Sequence, residues 1–209
     1  MLNFKYYKTT WLILVIILLA IGIDFLLEEW IVPFLKSKGI EFLRAPGNVT
    51  IIAMILAFYD SVLWKLPFFK LLVNIPNISG RYKGNIKFEF NGVKGQKECY
   101  IEVKQSASKI KIHSYFNNEL NEKSDSKSLV EDVRLEEDGF FDIYMFYLNN
   151  GNKINSSLDC HEGANKLRYI PANKARKAKL TGHYFTNRQI QTRGEIEAEF
   201  ETSNLKGEF

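Results

Sequence analysis

The chain has 209 residues, 25% of them charged and 46% hydrophobic, with a net charge of only +4. That balance is not that of a polycation, and the 2 cysteines, Cys99 and Cys160, lack metal-ligand spacing and read as buried or free thiols rather than a structural bridge. The length fits one membrane segment plus one compact domain of ordinary size.

Lys5 and Lys8 precede an apolar run from Trp11 to Ile31 whose only charges are Asp24, Glu28 and Glu29. A hydrocarbon core asks for about 20 mostly apolar residues per helix, so this run is expected to span a bilayer. No small-x-small site follows it and a second apolar run does, which favours a retained anchor over a cleaved signal peptide. The second run, Val49–Leu66, carries Asp60 and then Lys65. Between them, Pro33, Gly39, Pro46 and Gly47 mark a loop. Lys5 and Lys8 lie on one flank, Lys65, Lys70, Arg81 and Lys83 on the other, and Lys36, Lys38 and Arg44 in the loop. The expected topology is a multi-pass hairpin with both termini cytoplasmic. Asp24 and Asp60 fall inside the spans with no Lys or Arg there to neutralise them, so each is expected to face a protein interface or water, or to be protonated. Contacts between hairpins in an oligomer are one such place; for Asp24, a helix end near the headgroups is another.

Residues 1–75 thus read as a two-helix transmembrane region with a short linker, and 76–209 as a cytoplasmic domain. From Gly80, alternation dominates. Tyr82, Gly84, Ile86, Phe88 and Phe90 share one face of a strand, and Arg81, Lys83, Asn85, Lys87 and Glu89 the other. Similar signals recur at Cys99–Val103, Lys109–Phe116, Leu129–Leu135, Phe140–Leu148, Lys166–Ile170, Leu180–Thr186 and Thr192–Phe200. Asn91-Gly92, Lys94-Gly95, Asn117-Asn118, Asp138-Gly139 and Asn149–Asn152 supply turns. About eight short antiparallel strands, each with one apolar face, predict an all-β domain closed into a small barrel, which leaves no free edge.

Chemistry-bearing patterns are few. No phosphate-binding Gly-rich loop, dinucleotide fingerprint or zinc-protease helix motif is present, and the histidines, His113, His161 and His183, are scattered. These residues point to no enzyme, no cofactor and no metal. One local bias stands out. Gly163–Gly194 contains no Asp or Glu but holds Lys166, Arg168, Lys174, Arg176, Lys177, Lys179, Arg188 and Arg193, and so predicts a positive field.

The segment LTGHYFTNRQIQTRGEIEAEF carries Gly182, Tyr184, Phe185, Thr186, Arg188, Thr192, Arg193, Gly194 and Ile196 in the pattern G-x-Y-F-T-x-R followed by T-R-G-x-I. With the opening Gly80-x-Tyr82-x-Gly84 strand and the preceding hairpin, it resembles the two-transmembrane, β-barrel effectors of bacterial CBASS antiphage signalling. The resemblance implies a barrel that binds a cyclic dinucleotide made by a partner CD-NTase, a cGAS-like nucleotidyltransferase. Oligomerisation in the membrane, membrane disruption and abortive death of the infected cell are implied to follow, with no DNA or RNA partner. Arg suits phosphate because its planar fork donates paired charge-assisted bonds, and aromatic faces suit bases. Arg188 and Arg193 are therefore nominated for phosphate, Tyr184 or Tyr82 for stacking, and Thr186 or Thr192 for polar contact. Tyr82 and Tyr184 alternate with apolar positions, so core packing is an equal reading of both. Lys174, Arg176, Lys177 and Lys179 suit solvent or anionic lipid. A membrane-tethered, calycin-like binder of lipid or another small molecule, and a scaffold that docks a protein partner, remain the alternatives.

Overall fold

The structure is a computed structural model and describes residues 4–39, 47–117, 123–151 and 160–209. The chain divides into two compact units: Met1–Pro76 with Ser106–Lys109, and Asn77–Gln105 with Ile110–Phe209.

In the first unit a helix runs from Thr9 to Ser37. It comprises α1 (Thr9–Leu26), a π-helical turn at Leu27–Ile31 and α2 (Val32–Ser37). Its 29 residues rise about 43 Å, more than the roughly 30 Å of a hydrocarbon core. Trp11, Ile17, Ile21, Phe25, Trp30 and Phe34 are exposed along it, which suits lipid rather than water. Among the described residues this is the one helix long and apolar enough to cross a membrane. It also runs into the expected loop. Val32 N–H reaches back five residues to Leu27 O, so the turn is already widened where Pro33 has no N–H to give. Arg44 and Pro46 of that loop lie outside the described residues.

The second apolar run departs from expectation. α3 covers only Asn48–Ser61, 14 residues, about 21 Å in length. Short 3₁₀ turns at Leu63–Lys65 and Pro67–Leu72 replace the rest of the expected span. Pro67 is the reason. Leu66 before it is extended (φ −77°, ψ 142°), as steric conflict with a following proline ring dictates.

α1 and α3 pack together, and each aspartate finds a partner in its own chain. Asn48 Nδ2 donates to Asp24 Oδ1 at 2.7 Å, and Tyr7 OH donates to Asp60 Oδ1 at 3.0 Å. Asp60 lies in the last turn of α3 rather than mid-helix. Lys8 N–H donates to Leu72 O (2.9 Å) and Asn74 N–H to Tyr6 O (2.8 Å), so the segments flanking the helix pair come together on one side.

The second unit is a closed, all-antiparallel barrel with consecutive strands paired and β1 also pairing β8. The strands are β1 (Gly80–Phe90), β2 (Val93–Gln105), β3 (Ile110–Asn117), β4 (Ser124–Leu135), β5 (Phe141–Asn149), β6 (His161–Ile170), β7 (Lys179–Asn187) and β8 (Arg193–Thr202). All eight expected strands are present. β2 starts six residues early because Asn91 (φ 50°) and Gly92 (φ 76°) form the tight turn, pairing Phe90 with Val93. Lys94-Gly95 consequently lies within the strand. Asn118 and Asn152 of the expected turns lie outside the described residues.

Inward positions pack Tyr82, Ile101, Val103, Ile112, Ile143, Leu167 and Leu180 into the core, each 2% exposed or less. Gly84 and Gly182 let neighbouring strands close in: a Cβ there would lie 1.9 Å from Glu197 O and Lys166 O respectively. Cys99 is buried and Cys160 exposed, both as free thiols.

The expected positive field is partly cancelled across the ladder. Asp142, fully buried, accepts from Arg168 Nε (2.8 Å) and Lys166 Nζ (2.9 Å), and Asp138 takes the other end of Arg168 at 2.6 Å. Lys179 pairs with Glu197, and Arg193 lies 3.8 Å from Glu89. A run without acids in the chain is not one in space, because β1, β5 and β8 bring carboxylates alongside it.

Candidate ligand site

Inward positions change character along β3, β5, β6 and β7. At the end where β1 begins they are apolar; towards the opposite end they turn polar. On β7 the sequence is Leu180, Gly182, Tyr184, Thr186; on β6, Tyr169, Leu167, Asn165; on β3, Ile112 then Ser114; on β5, Ile143, Met145, Tyr147, Asn149. The polar half opens as a cavity of about 210 Å³. Ile86 and Ile196 mark its deeper wall; Phe88, Phe90 and Phe116 bring rings towards the mouth.

Two permanent cations line it. Arg188 lies just beyond β7, where its Nη2 donates to His161 Nδ1 at 2.5 Å. Lys97 is an inward residue of β2 with its ammonium 5.4 Å from the Phe88 ring centre. Among the described residues lining the cavity none is a carboxylate. A low-dielectric wall sharpens the field of such cations where the cavity opens.

Side-chain hydrogen bonds fix much of the lining. Asn149 Nδ2 donates to Ser126 Oγ at 2.8 Å, and Gly151 N–H to Asn149 Oδ1 at 2.8 Å. Thr192 N–H donates to Thr186 Oγ1, and Thr186 N–H to Thr192 O, both at 2.9 Å. This reciprocal pair ties the ends of β7 and β8 and holds the turn that carries Arg188. Asn165 is different: it is buried and its Oδ1 has no hydrogen-bond partner among the described residues. An unsatisfied buried carbonyl is costly, and it offers an acceptor to whatever enters. Burial pushes the Tyr184 phenol up to about 12 despite Arg188 nearby, so it stays neutral and usable as a donor.

Of the six residues nominated from sequence, Tyr184, Thr186, Arg188 and Thr192 line this cavity. Arg193 does not: it alternates with inward Gly194, is exposed, and leans on Glu89. Tyr82 sits at the closed end, 1% exposed, its OH donating to Ile78 O at 3.0 Å and its ring edge-on to Phe200. Lys97, Asn165 and His161 had no assigned role. Their signal lay in the alternation itself: each shares the inward parity of apolar neighbours, and a polar residue on that stripe is the anomaly to follow.

The sequence matches the family described as "Cap15, cyclic dinucleotide receptor domain" over residues 73–199. It is also similar to CD-NTase-associated protein 15 of Escherichia albertii, 29% identical over 159 residues that cover 74% of this chain and 77% of that protein. A closed eight-stranded barrel, a membrane-capable helix and a cationic cavity accompany that match, and the chain belongs to the Cap15 cyclic dinucleotide receptor family of CBASS effectors.

Proposed function

We propose that the open end of the barrel captures a cyclic dinucleotide made by a CD-NTase, and that capture makes the membrane helices cluster, disrupts the inner membrane and ends the infected cell. The observation that carries this reading is the mouth itself: Lys97 over the Phe88 ring and Arg188 against His161 line one cavity, with no lining carboxylate among the described residues. A base enters the cavity against Tyr184 and Phe88, where stacking contributes roughly 1–3 kcal/mol. Asn165 Oδ1 accepts a hydrogen bond from it. The sugar–phosphate ring stays at the rim, within reach of Arg188 and Lys97. A cavity lined by Ser114, Ser126 and Asn149 suits such a ligand better than a lipid tail, which weighs against the calycin-like alternative. Nothing in this reading requires a chemical step, so the chain acts as a receptor and not as an enzyme.

On the membrane side, the flanking segments that meet through Lys8 and Leu72 support a helix pair with both ends on one face. The basic flanks favour a cytoplasmic position for that face. Asp24 and Asp60, each held by one hydrogen bond, retain acceptor capacity for a neighbouring hairpin. The test is the full chain reconstituted in phosphatidylcholine–phosphatidylglycerol vesicles loaded with dye. A bound cyclic dinucleotide should raise cross-linked multimers and release dye together. Binding that leaves the chain monomeric and the vesicles sealed refutes the proposed output.

A further inference from the structure

We propose that the β6–β7 turn is a second membrane contact, with Lys174, Arg176 and Lys177 touching anionic lipid headgroups. This rests on the membrane-spanning reading of Thr9–Ser37 and not on the ligand reading of the mouth. These three cations are exposed and make no ion pair among the described residues. In this they differ from Lys166, Arg168 and Lys179 in the same stretch, which are paired with Asp142 and Glu197.

The turn has a fixed shape. Asn173 Oδ1 accepts from Ala175 N–H (2.9 Å) and Arg176 N–H (3.0 Å), and Asn173 N–H donates to Arg176 O at 3.0 Å. A pre-shaped turn presents its charges with little ordering cost.

Its position on the barrel follows from the register. Lys179 pairs with Glu199, and Glu199 with Lys83, so the turn springs from a point two strands, about 10 Å, from β1. That is the barrel end where β1 begins, opposite the mouth. Leu72 is bonded to Lys8, next to the start of α1. Gly80 follows Leu72 by only eight positions in the chain, a reach of at most about 28 Å. The covalent length of this linker therefore limits how far the start of β1 can lie from Leu72. Across the ring from β1 and β8, the β4–β5 turn carries Glu136, Glu137 and Asp138. An anionic surface attracts the β6–β7 side of this end and repels the β4–β5 side, giving the tethered barrel a preferred tilt. An acidic protein partner is the other occupant with suitable charge, and purified lipid vesicles exclude it.

The experiment uses the full chain with Cys160→Ser and a fluorophore placed through Ala175→Cys in the turn or Lys94→Cys at the mouth end. Each is reconstituted in phosphatidylcholine alone or mixed with phosphatidylglycerol, with a headgroup-attached quencher. Quenching at position 175 should rise several-fold in the anionic vesicles, and added salt should reverse it. Each basic side chain contributes about five-fold to surface affinity. The triple change of Lys174, Arg176 and Lys177 to Gln should therefore return quenching to the neutral-vesicle level, with cyclic dinucleotide affinity unchanged. Equal quenching at 175 in the two lipids, or a matching rise at position 94, overturns the proposal.

Discussion

Replacing Arg188 by Gln removes one of two permanent cations from the barrel mouth while keeping a polar side chain of similar reach. A phosphate about 5 Å from the guanidinium, at an effective dielectric of about 20, interacts by roughly 3 kcal/mol. Charge-assisted hydrogen bonds give a similar figure, about 1.5–3 kcal/mol. Some of this returns through solvation of the vacated rim, so about 2–3 kcal/mol is expected, a 30- to 150-fold rise in Kd. Arg193→Gln supplies the control. Its side chain is 72% exposed and 3.8 Å from Glu89, outside the cavity, so the change should stay within about two-fold. Calorimetric titration of the full chain in detergent with the cyclic dinucleotide reads both variants, and repetition at two salt concentrations should show a shallower salt dependence for Arg188→Gln alone. Equal losses for the two arginines would refute the assignment of the mouth as the phosphate site.

Four further outcomes follow from the same structure. Tyr82→Phe deletes the hydroxyl that bonds Ile78 O and should cost about 1 kcal/mol of stability, seen as a lower Tm, with ligand affinity unaltered; weakened binding would return Tyr82 to the site. Gly84→Ala forces a methyl to within 1.9 Å of Glu197 O, so the β1–β8 ladder must shift, at a cost of 1–3 kcal/mol or more by chemical denaturation. Burial raises the Asp142 carboxyl, but the bonds from Arg168 and Lys166 outweigh it and hold the group below the usual carboxylate range; in Glu102, burial is likewise outweighed by Lys206 N–H, Arg81 and Gly207 N–H. A depressed folded pKa gives stability that is full above the unfolded value near 4 and is lost as pH falls through the folded value. Thermal unfolding should therefore show Tm dropping below about pH 4, with a smaller acid-dependent drop in Asp142→Asn. Asp24→Asn with Asp60→Asn should leave binding intact and reduce ligand-induced cross-linking, whereas unchanged cross-linking would free the carboxylates of that role.

The barrel was legible because alternation and turn chemistry are local: Asn91-Gly92 declares its own hairpin, and the Ile196–Ala198–Phe200 stripe declares its inward face. The end of α3 was less so. Apolar composition runs unbroken past Ser61, and the break is written only in Pro67 six residues on. Charge was misread for a geometric reason. The acid-free stretch from Gly163 to Gly194 meets Asp142 and Glu197 only when β5 and β8 are laid beside it. Arg188 and Arg193 looked equivalent as residues flanking one turn. Parity separates them: Arg193 alternates with inward Gly194, whereas Arg188 turns back over His161. Lys97, five residues into β2, escaped notice because its strand was expected to start only at Cys99.

The most direct measurement is titration of the full chain in detergent with a panel of cyclic dinucleotides covering the base pairs and linkages that CD-NTases can form. At least one should bind saturably with a stoichiometry set by the barrel, and its affinity should fall when Arg188 is changed to Gln. If no member of the panel binds, or binding is indifferent to Arg188 and Lys97 alike, the barrel mouth is not where this chain receives its signal.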